Sequence, residues 1–130
     1  MKAQACFAGF GRELAELAER YAPPDGLLLL AFEDGAPAGC AGLRRMGGGA
    51  AEAKRLFVRP EARGRGAGAA LLARLVAEAR AAGYRALRLE TLPGEMDAAI
   101  AMYRRSGFRE IAPYAEPPVA GALYLELPLG

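Results

Sequence analysis

The sequence is organised around the stretch Arg63-Gly64-Arg65-Gly66-Ala67-Gly68. It follows an apolar run at residues 56–58 and opens into a segment with apolar residues at 71, 72, 75, 76 and 79, the spacing of one helix face. The order is therefore strand, glycine loop, helix. The first turn of a helix leaves backbone N–H groups without intrahelical partners, and glycine lets a bound group approach them. With two arginines added, the stretch predicts a seat for a phosphate or pyrophosphate.

The composition is that of one globular domain, which we expect to span residues 1–130. The chain is 53% hydrophobic and 25% charged, with a net charge of +2. We expect a cytoplasmic protein without a nucleic-acid or membrane partner, because the net charge is small, no apolar run suits a membrane span and the start lacks a secretory pattern. The chain has no histidine, which excludes histidine triads and most zinc sites, so we expect no metal.

The segments before the loop predict an antiparallel meander. Short apolar runs separated by turn residues predict strands over 27–32, 38–45 and 51–58. An amphipathic pattern over residues 10–21 predicts a helix before them.

The segments after the loop predict an α/β arrangement, with a helix over 66–82, a strand over 84–91, a helix over 95–106, and strands over 108–112 and 122–127. A strand–helix–strand unit forms a right-handed crossover, so strand 84–91 should be parallel to strand 51–58. The fold class we expect is a mixed α/β domain.

By pattern alone the loop fits two frames. One is Gly64-x-Gly66-x-x-Ala69, the dinucleotide fingerprint, with Glu90 as a ribose-binding acid. The other is Arg63-x-x-Gly66-x-Gly68. The dinucleotide frame is disfavoured because residues 59–63 separate strand and loop, and because too few residues follow Thr91 for a second nucleotide-binding half.

Three blocks of the sequence, at residues 54–68, 89–91 and 102–108, resemble the GNAT superfamily of acyl-CoA-dependent N-acetyltransferases. Arg63, Gly66 and Gly68 satisfy the family's loop pattern of Arg or Gln, two residues, Gly, one residue, Gly or Ala. Met102-Tyr103 and Gly107-Phe108 match its later Leu-Tyr and Gly-Phe block with one conservative change. The resemblance covers roughly residues 25–128 and implies a mostly antiparallel mixed sheet flanked by helices.

The resemblance also implies how acetyl-CoA binds. The pantetheine arm would pair with the backbone of Leu56, Phe57 and Val58, and one amide there would face the thioester oxygen. The pyrophosphate would lie on the loop amides of Arg63, Gly64, Arg65, Gly66, Ala67, Gly68 and Ala69. Thr91, at the end of its strand, is a further candidate for a bond to the cofactor, or simply a strand residue.

Two residues are the candidate catalytic groups. Tyr103 matches the family's usual proton donor to the departing thiolate, and a phenol with a pKa of about 10 is protonated at neutral pH. Tyr103 could instead be a residue that only packs its ring in the core. Glu52 is the candidate general base, on a strand where we expect residues 52, 54, 56 and 58 to share one side. Because an ordinary glutamate is a weak base, Glu52 would need burial or a relaying water; it would otherwise be a solvated turn residue.

The acceptor site has weaker signals. Four acidic residues could hold a cationic acceptor, although surface charge is the favoured interpretation for each: Glu90, Glu95, Asp97 and Glu116. Tyr114 could form a wall of that site or simply pack. The acceptor is interpreted as a small amine or a peptide amine.

The sequence departs from the family at two places. Met96 stands where the family commonly has Asn, so one cofactor contact would be lost. The start is also short, because the family usually has a strand and a helix before the region matched to residues 10–21. Either residues 1–8 supply an abbreviated strand, or strand 27–32 has an exposed edge that a homodimer would cover. We favour the homodimer.

The function predicted from these residues is N-acetyl transfer from acetyl-CoA by direct attack of an amine. The alternative is a non-catalytic acyl-CoA-binding module, which would need the loop but neither Glu52 nor Tyr103. A nucleotide-binding domain ranks third.

Overall fold

The computed structural model describes residue 21 and residues 26–94 and 96–130. The helix predicted over 10–21, apart from Tyr21, and the strand considered within 1–8 lie outside these residues. The elements are β1 (Gly26–Glu33), β2 (Ala36–Gly47), β3 (Ala50–Val58), α1 (Ala67–Ala81), β4 (Ala86–Thr91), α2 (Asp97–Arg105), β5 (Arg109–Glu110) and β6 (Leu123–Pro128).

These elements form one mixed sheet, which confirms the predicted fold class. The strand order is β1-β2-β3-β4-β6-β5. Every pairing is antiparallel except that of β3 with β4, which is parallel as predicted. Strand β5 has two residues, shorter than the predicted 108–112. Among the described residues, no helix is long and apolar enough to cross a membrane.

The parallel pairing of β3 with β4 is short. It joins Ala50 to Ala86, Ala51 to Leu87 and Glu52 to Arg88, and goes no further. Strand β3 continues to Val58 beside β2, and β4 continues to Thr91 beside β6. The two strands therefore diverge, and the sheet opens between them.

Helix α1 crosses from β3 to β4 on one face of the sheet and fills the core there. Its apolar stripe, predicted from the spacing of the sequence, buries Leu71, Leu72, Leu75 and Ala79. Strand β2 lies close to both β3 and α1 at Gly39, because a Cβ there would stand 2.4 Å from the Phe57 carbonyl oxygen of β3 and 3.3 Å from Leu71 Cδ1 of α1. Only glycine fits at that crossing.

A β-bulge in β3 changes which side chains face the core. Phe57 lies opposite Cys40 while Lys54 lies opposite Gly42, so β3 carries one residue more than β2 over this span. Arg55 has a φ of 60°, and its carbonyl accepts a hydrogen bond of 3.3 Å from Cys40 Sγ. The bulge ends the regular alternation that the sequence analysis assumed.

The expectation that residues 52, 54, 56 and 58 share one side is therefore wrong. Ala53 before the bulge and Leu56 and Val58 after it all pack against the core cluster beneath α1. Glu52 and Lys54 alternate with Ala53 and face the other side of the sheet. The extra residue thus moves Leu56 and Val58 away from Glu52.

Candidate active site

A cleft lies where β3 and β4 diverge. It has a volume of about 420 Å³ and is lined by Leu56 of β3, Leu89 and Thr91 of β4, and Tyr103 of α2, among others. We call it the splay cleft. It also contains Lys54 and Glu90, which face the side of the sheet away from α1. Both sheet faces therefore contribute to the splay cleft.

A second cleft, of about 400 Å³, lies at the glycine loop. We call it the loop cleft. Leu56 and Met96 border both clefts, so the two adjoin. Of the predicted cofactor-binding residues, the loop cleft is lined by Leu56, Phe57, Val58, Arg63, Gly64, Gly66, Ala67, Gly68 and Ala69.

The glycine loop presents backbone amides at the start of α1. Gly66 precedes the helix with a φ of 87° and no side-chain cap, and the first helical hydrogen bond runs from Ala70 N to Gly66 O at 2.9 Å. The amides of Ala67, Gly68 and Ala69 come before that bond and lack intrahelical acceptors. A Cβ at Gly66 would meet no atom within 4 Å, so its positive φ, and not crowding, requires glycine.

The side chains of the two loop arginines are bonded to other groups. Arg63 lines the loop cleft, but its Nε donates to the Val58 carbonyl at 2.9 Å and its guanidinium lies 5.8 Å from the Phe57 ring centroid. Arg65 pairs with Glu33 at 2.8 Å and is not among the residues lining the loop cleft. The groups that could hold an anion in the loop cleft are therefore the backbone amides and Arg63, without Arg65. Arg105 of α2, which the sequence analysis did not select, lines the same cleft.

Two hydroxyl groups lie in the splay cleft. Tyr103 is 5% exposed, and burial raises its pKa to about 12, so the phenol stays protonated and able to donate. Thr91 is buried, and its Oγ1 has no hydrogen-bond partner among the described residues. Because this oxygen is itself buried, the bond from Thr91 to the cofactor stays a prediction.

Glu52 lies beside the splay cleft without lining it. It is 8% exposed, and its Oε2 accepts a hydrogen bond of 2.9 Å from the Tyr114 hydroxyl. Its Oε1 is 4.0 Å from both Arg44 Nη2 and Lys54 Nζ. Burial, and then the hydrogen bond to Glu52, raise the pKa of Tyr114, which keeps it a donor. Tyr114 thus contacts the predicted base and does not border the splay cleft.

Glu90 is the carboxylate that does line the splay cleft. Its Oε2 accepts a hydrogen bond of 2.5 Å from the Tyr124 hydroxyl, and the Tyr124 ring packs edge-on against Tyr114 at 4.9 Å. The sequence analysis missed Tyr124, although a tyrosine on the polar side of an alternating strand was a usable signal. Asp97 instead accepts a 2.7 Å bond from Gly94 N, and Glu116 is exposed on its loop.

The described residues contain no group of three or more His, Cys, Asp or Glu side chains placed to hold a metal ion.

A sheet that opens beside a glycine loop and a crossover helix is the architecture of acyl-CoA-dependent acetyltransferases. The sequence profile of the Acetyltransferase (GNAT) family matches residues 3–108, and the chain belongs to that family.

Curated relatives agree with this assignment. The chain is 34% identical to an uncharacterized N-acetyltransferase of Schizosaccharomyces pombe over 93% of this chain and 75% of the relative. It is 43% identical to an IAA acetyltransferase of Azospirillum brasilense over 83% of this chain and 71% of the relative.

Solved structures show the same fold. A Klebsiella pneumoniae protein assigned as an acyl-CoA N-acyltransferase superposes with a TM-score of 0.75 at 33% identity, over 97% of this chain and 88% of that one. The PaiA N-acetyltransferase of Thermoplasma acidophilum, solved with coenzyme A, superposes with a TM-score of 0.72 at 21% identity. That match covers 86% of this chain and 65% of the other.

The loop cleft makes a specific prediction about coenzyme A affinity. Gly66→Asp introduces a side chain and a negative charge beside the loop amides, and we expect binding of coenzyme A to fall at least about 100-fold by calorimetry. The matched control is Gly35→Asp, at a hairpin glycine that also has a positive φ, of 79°, and open space around it. Unchanged affinity in a folded Gly66→Asp variant would remove the loop from the site.

Proposed function

We propose that the protein transfers an acetyl group from acetyl-CoA to a primary amine in the cytoplasm, by direct attack of the amine on the thioester. The observation that carries this proposal is that the loop amides and the buried Tyr103 hydroxyl lie in two adjoining clefts. A pyrophosphate on the loop amides puts the rest of an extended cofactor beside β3, with its reactive end in the splay cleft.

The diverging strands supply the seat for the pantetheine arm. Beyond Glu52, β3 has no strand partner on its β4 side among the described residues. Peptide groups of residues 56–58 that point to that side, other than the Val58 carbonyl bonded to Arg63, are therefore open to pairing with amide groups of the arm. Arg105 offers a positive charge at the loop cleft for the cofactor's phosphates. The presence of coenzyme A in the structure of PaiA, a protein with the same fold, supports coenzyme A as the ligand.

The catalytic steps follow from these positions. An amide of residues 56–58 stabilises the oxyanion that forms when the amine attacks the thioester carbon. Tyr103 donates a hydrogen bond to the sulfur as the carbon–sulfur bond breaks. Because burial raises its pKa to about 12, Tyr103 stays protonated and serves as a donor throughout the neutral pH range.

The proton balance assigns a role to Glu52. An acceptor ammonium loses one proton before attack and a second one as the amide forms; one proton ends on the thiolate and the other leaves to solvent. We propose Glu52 as the group that takes the first of these protons. Because neither Glu52 nor Tyr114 lines the splay cleft, the transfer runs through a relaying water.

The enzyme and the non-catalytic binding module differ in their need for Tyr103. Tyr103→Phe keeps the ring packed against Phe108 at 5.6 Å and removes the hydroxyl. We expect kcat for amine-dependent thiol release to fall about 100-fold, with little change in acetyl-CoA affinity. Tyr84→Phe, a partly buried tyrosine outside both clefts, is the matched control.

A fall of less than about threefold would leave Tyr103 as a packing residue. Wild-type protein that binds acetyl-CoA yet releases no thiol with any amine of a broad panel would support the binding module.

We also propose a homodimer that pairs the β1 edges of two copies. Within the described residues β1 is an edge of the sheet, and Leu30 and Phe32 on it are 38% and 61% exposed. Pairing of two copies would satisfy the edge and cover these side chains. We expect light scattering to give the mass of a dimer.

Phe32→Lys should then shift the mass toward that of a monomer. Phe32 suits this test because it is exposed, whereas other β1 side chains such as Leu29 pack against the core. Val119→Lys, another exposed apolar position, is the control and should leave the mass unchanged. A monomeric wild-type protein would contradict the dimer.

A further inference from the structure

We propose that Glu90 is the seat for the acceptor's ammonium group, and that the protein therefore selects amines that are protonated at neutral pH. The inference rests on the proposed acetyl transfer and names the chemical class of its acceptor. Its basis is the position of Glu90, the way its carboxylate is held, and the absence of a basic group within 4.0 Å of it in the described part of the chain.

The position of Glu90 follows from the divergence of β3 and β4. Arg88 is the last β4 residue that pairs with β3, and Glu90 lies two residues beyond it on the same side of the strand. No β3 residue stands opposite Glu90, so its side chain borders the splay cleft that also contains Tyr103. An amine that reacts beside Tyr103 therefore lies in the same cleft as this carboxylate.

The carboxylate of Glu90 is held in place. Tyr124, its direct partner across β4 and β6, donates to Oε2 at 2.5 Å. The Tyr124 hydroxyl is itself held by a hydrogen bond of 3.1 Å from Val119 N. One oxygen of Glu90 is thus fixed by a phenol, while Oε1 remains available to a ligand in the cleft.

The charges on this sheet face set Glu90 apart from its neighbours. Glu126 pairs with Arg88 at 2.8 Å, and Glu52 has Arg44 and Lys54 at 4.0 Å. Glu90 has no basic group within 4.0 Å among the described residues. A carboxylate that is held by a phenol, borders a cleft and has no basic group within 4.0 Å favours a cationic ligand, which would form a charge-assisted hydrogen bond with it.

This arrangement discriminates between amines by charge. An alkyl amine enters as an ammonium and gains the charge-assisted bond to Glu90 before it gives up a proton and attacks. An aryl amine is neutral at pH 7 and gains nothing from the carboxylate. Phenethylamine and aniline are a suitable pair of probes, because both carry a phenyl ring and only the former is a cation at neutral pH.

The test is calorimetry of each probe with protein already saturated with coenzyme A. We expect the wild type to bind phenethylamine more tightly than aniline. Glu90→Gln should weaken phenethylamine binding by about 10- to 100-fold and leave aniline binding unchanged, because only the charge is lost. Tyr124→Phe should weaken phenethylamine binding several-fold, because the carboxylate is no longer held.

The matched control is Glu126→Gln, which removes a carboxylate on the same sheet face that already has Arg88 as its partner. It should not change phenethylamine affinity. Coenzyme A affinity should be equal in the wild type and all these variants, which shows that the clefts are intact.

Equal phenethylamine affinity in the wild type and Glu90→Gln, or wild-type protein that binds neither probe, would overturn the ammonium seat. The ammonium site would also be overturned if the Glu90→Gln variant had a lower kcat for an alkyl amine and an unchanged KM. That result would mean that Glu90 acts only in the transition state and does not bind the amine. Failure of the wild type to bind coenzyme A would instead contradict the proposed function itself.

Discussion

The early end of the pairing between β3 and β4 is the constraint on which the site depends. Two parallel strands with adjacent peptide groups normally continue their hydrogen bonds, and unpaired backbone groups in a sheet interior are costly. Here only three residues of each strand pair before the strands part. The unpaired β3 edge, the splay cleft and the access to Tyr103 and Thr91 all follow from that divergence.

The bulge at Arg55 works together with the divergence. By adding one residue to β3 it turns Leu56 and Val58 toward α1, so the strand beside the loop cleft is anchored in the core. On the side of the sheet away from α1 remain Glu52 and Glu90, each fixed by a tyrosine from the last third of the chain. The sheet therefore separates a side that carries α1 and the loop amides from a side rich in charged residues.

Much of this architecture is readable from the sequence because it depends on local signals. The glycine loop and the apolar stripe of α1 are local, and the parallel relation of β3 to β4 follows from the handedness of crossovers. The length of that pairing is not local, since it depends on how β2 and β6 draw the two strands apart. No glycine or proline near Arg55 indicates a bulge in the sequence. The sides of the sheet that the β3 side chains face were therefore assigned wrongly after Lys54.

The side-chain contacts of the site were the hardest part to predict. Arg63 and Arg65 were interpreted as charges on the anion seat, whereas Arg65 pairs with Glu33, distant in sequence. Glu90 alternates with buried leucines and has the pattern of a surface residue; only the divergence of the strands makes it line a cleft. The roles of Tyr114 and Tyr124 depend on hydrogen bonds to Glu52 and Glu90, which lie on other strands. No spacing along the chain reveals these contacts.

The most direct test of the account is residue-resolved hydrogen exchange of the wild-type protein with and without acetyl-CoA. If the arm of the cofactor pairs with the open edge of β3, at least one amide among residues 56–58 slows on binding, as do amides of the loop at 64–69. The amides of β1, which pair with β2 away from both clefts, keep their rates and serve as the internal reference. Binding that slows other amides and leaves residues 56–58 unchanged would contradict the role given to the diverging strands.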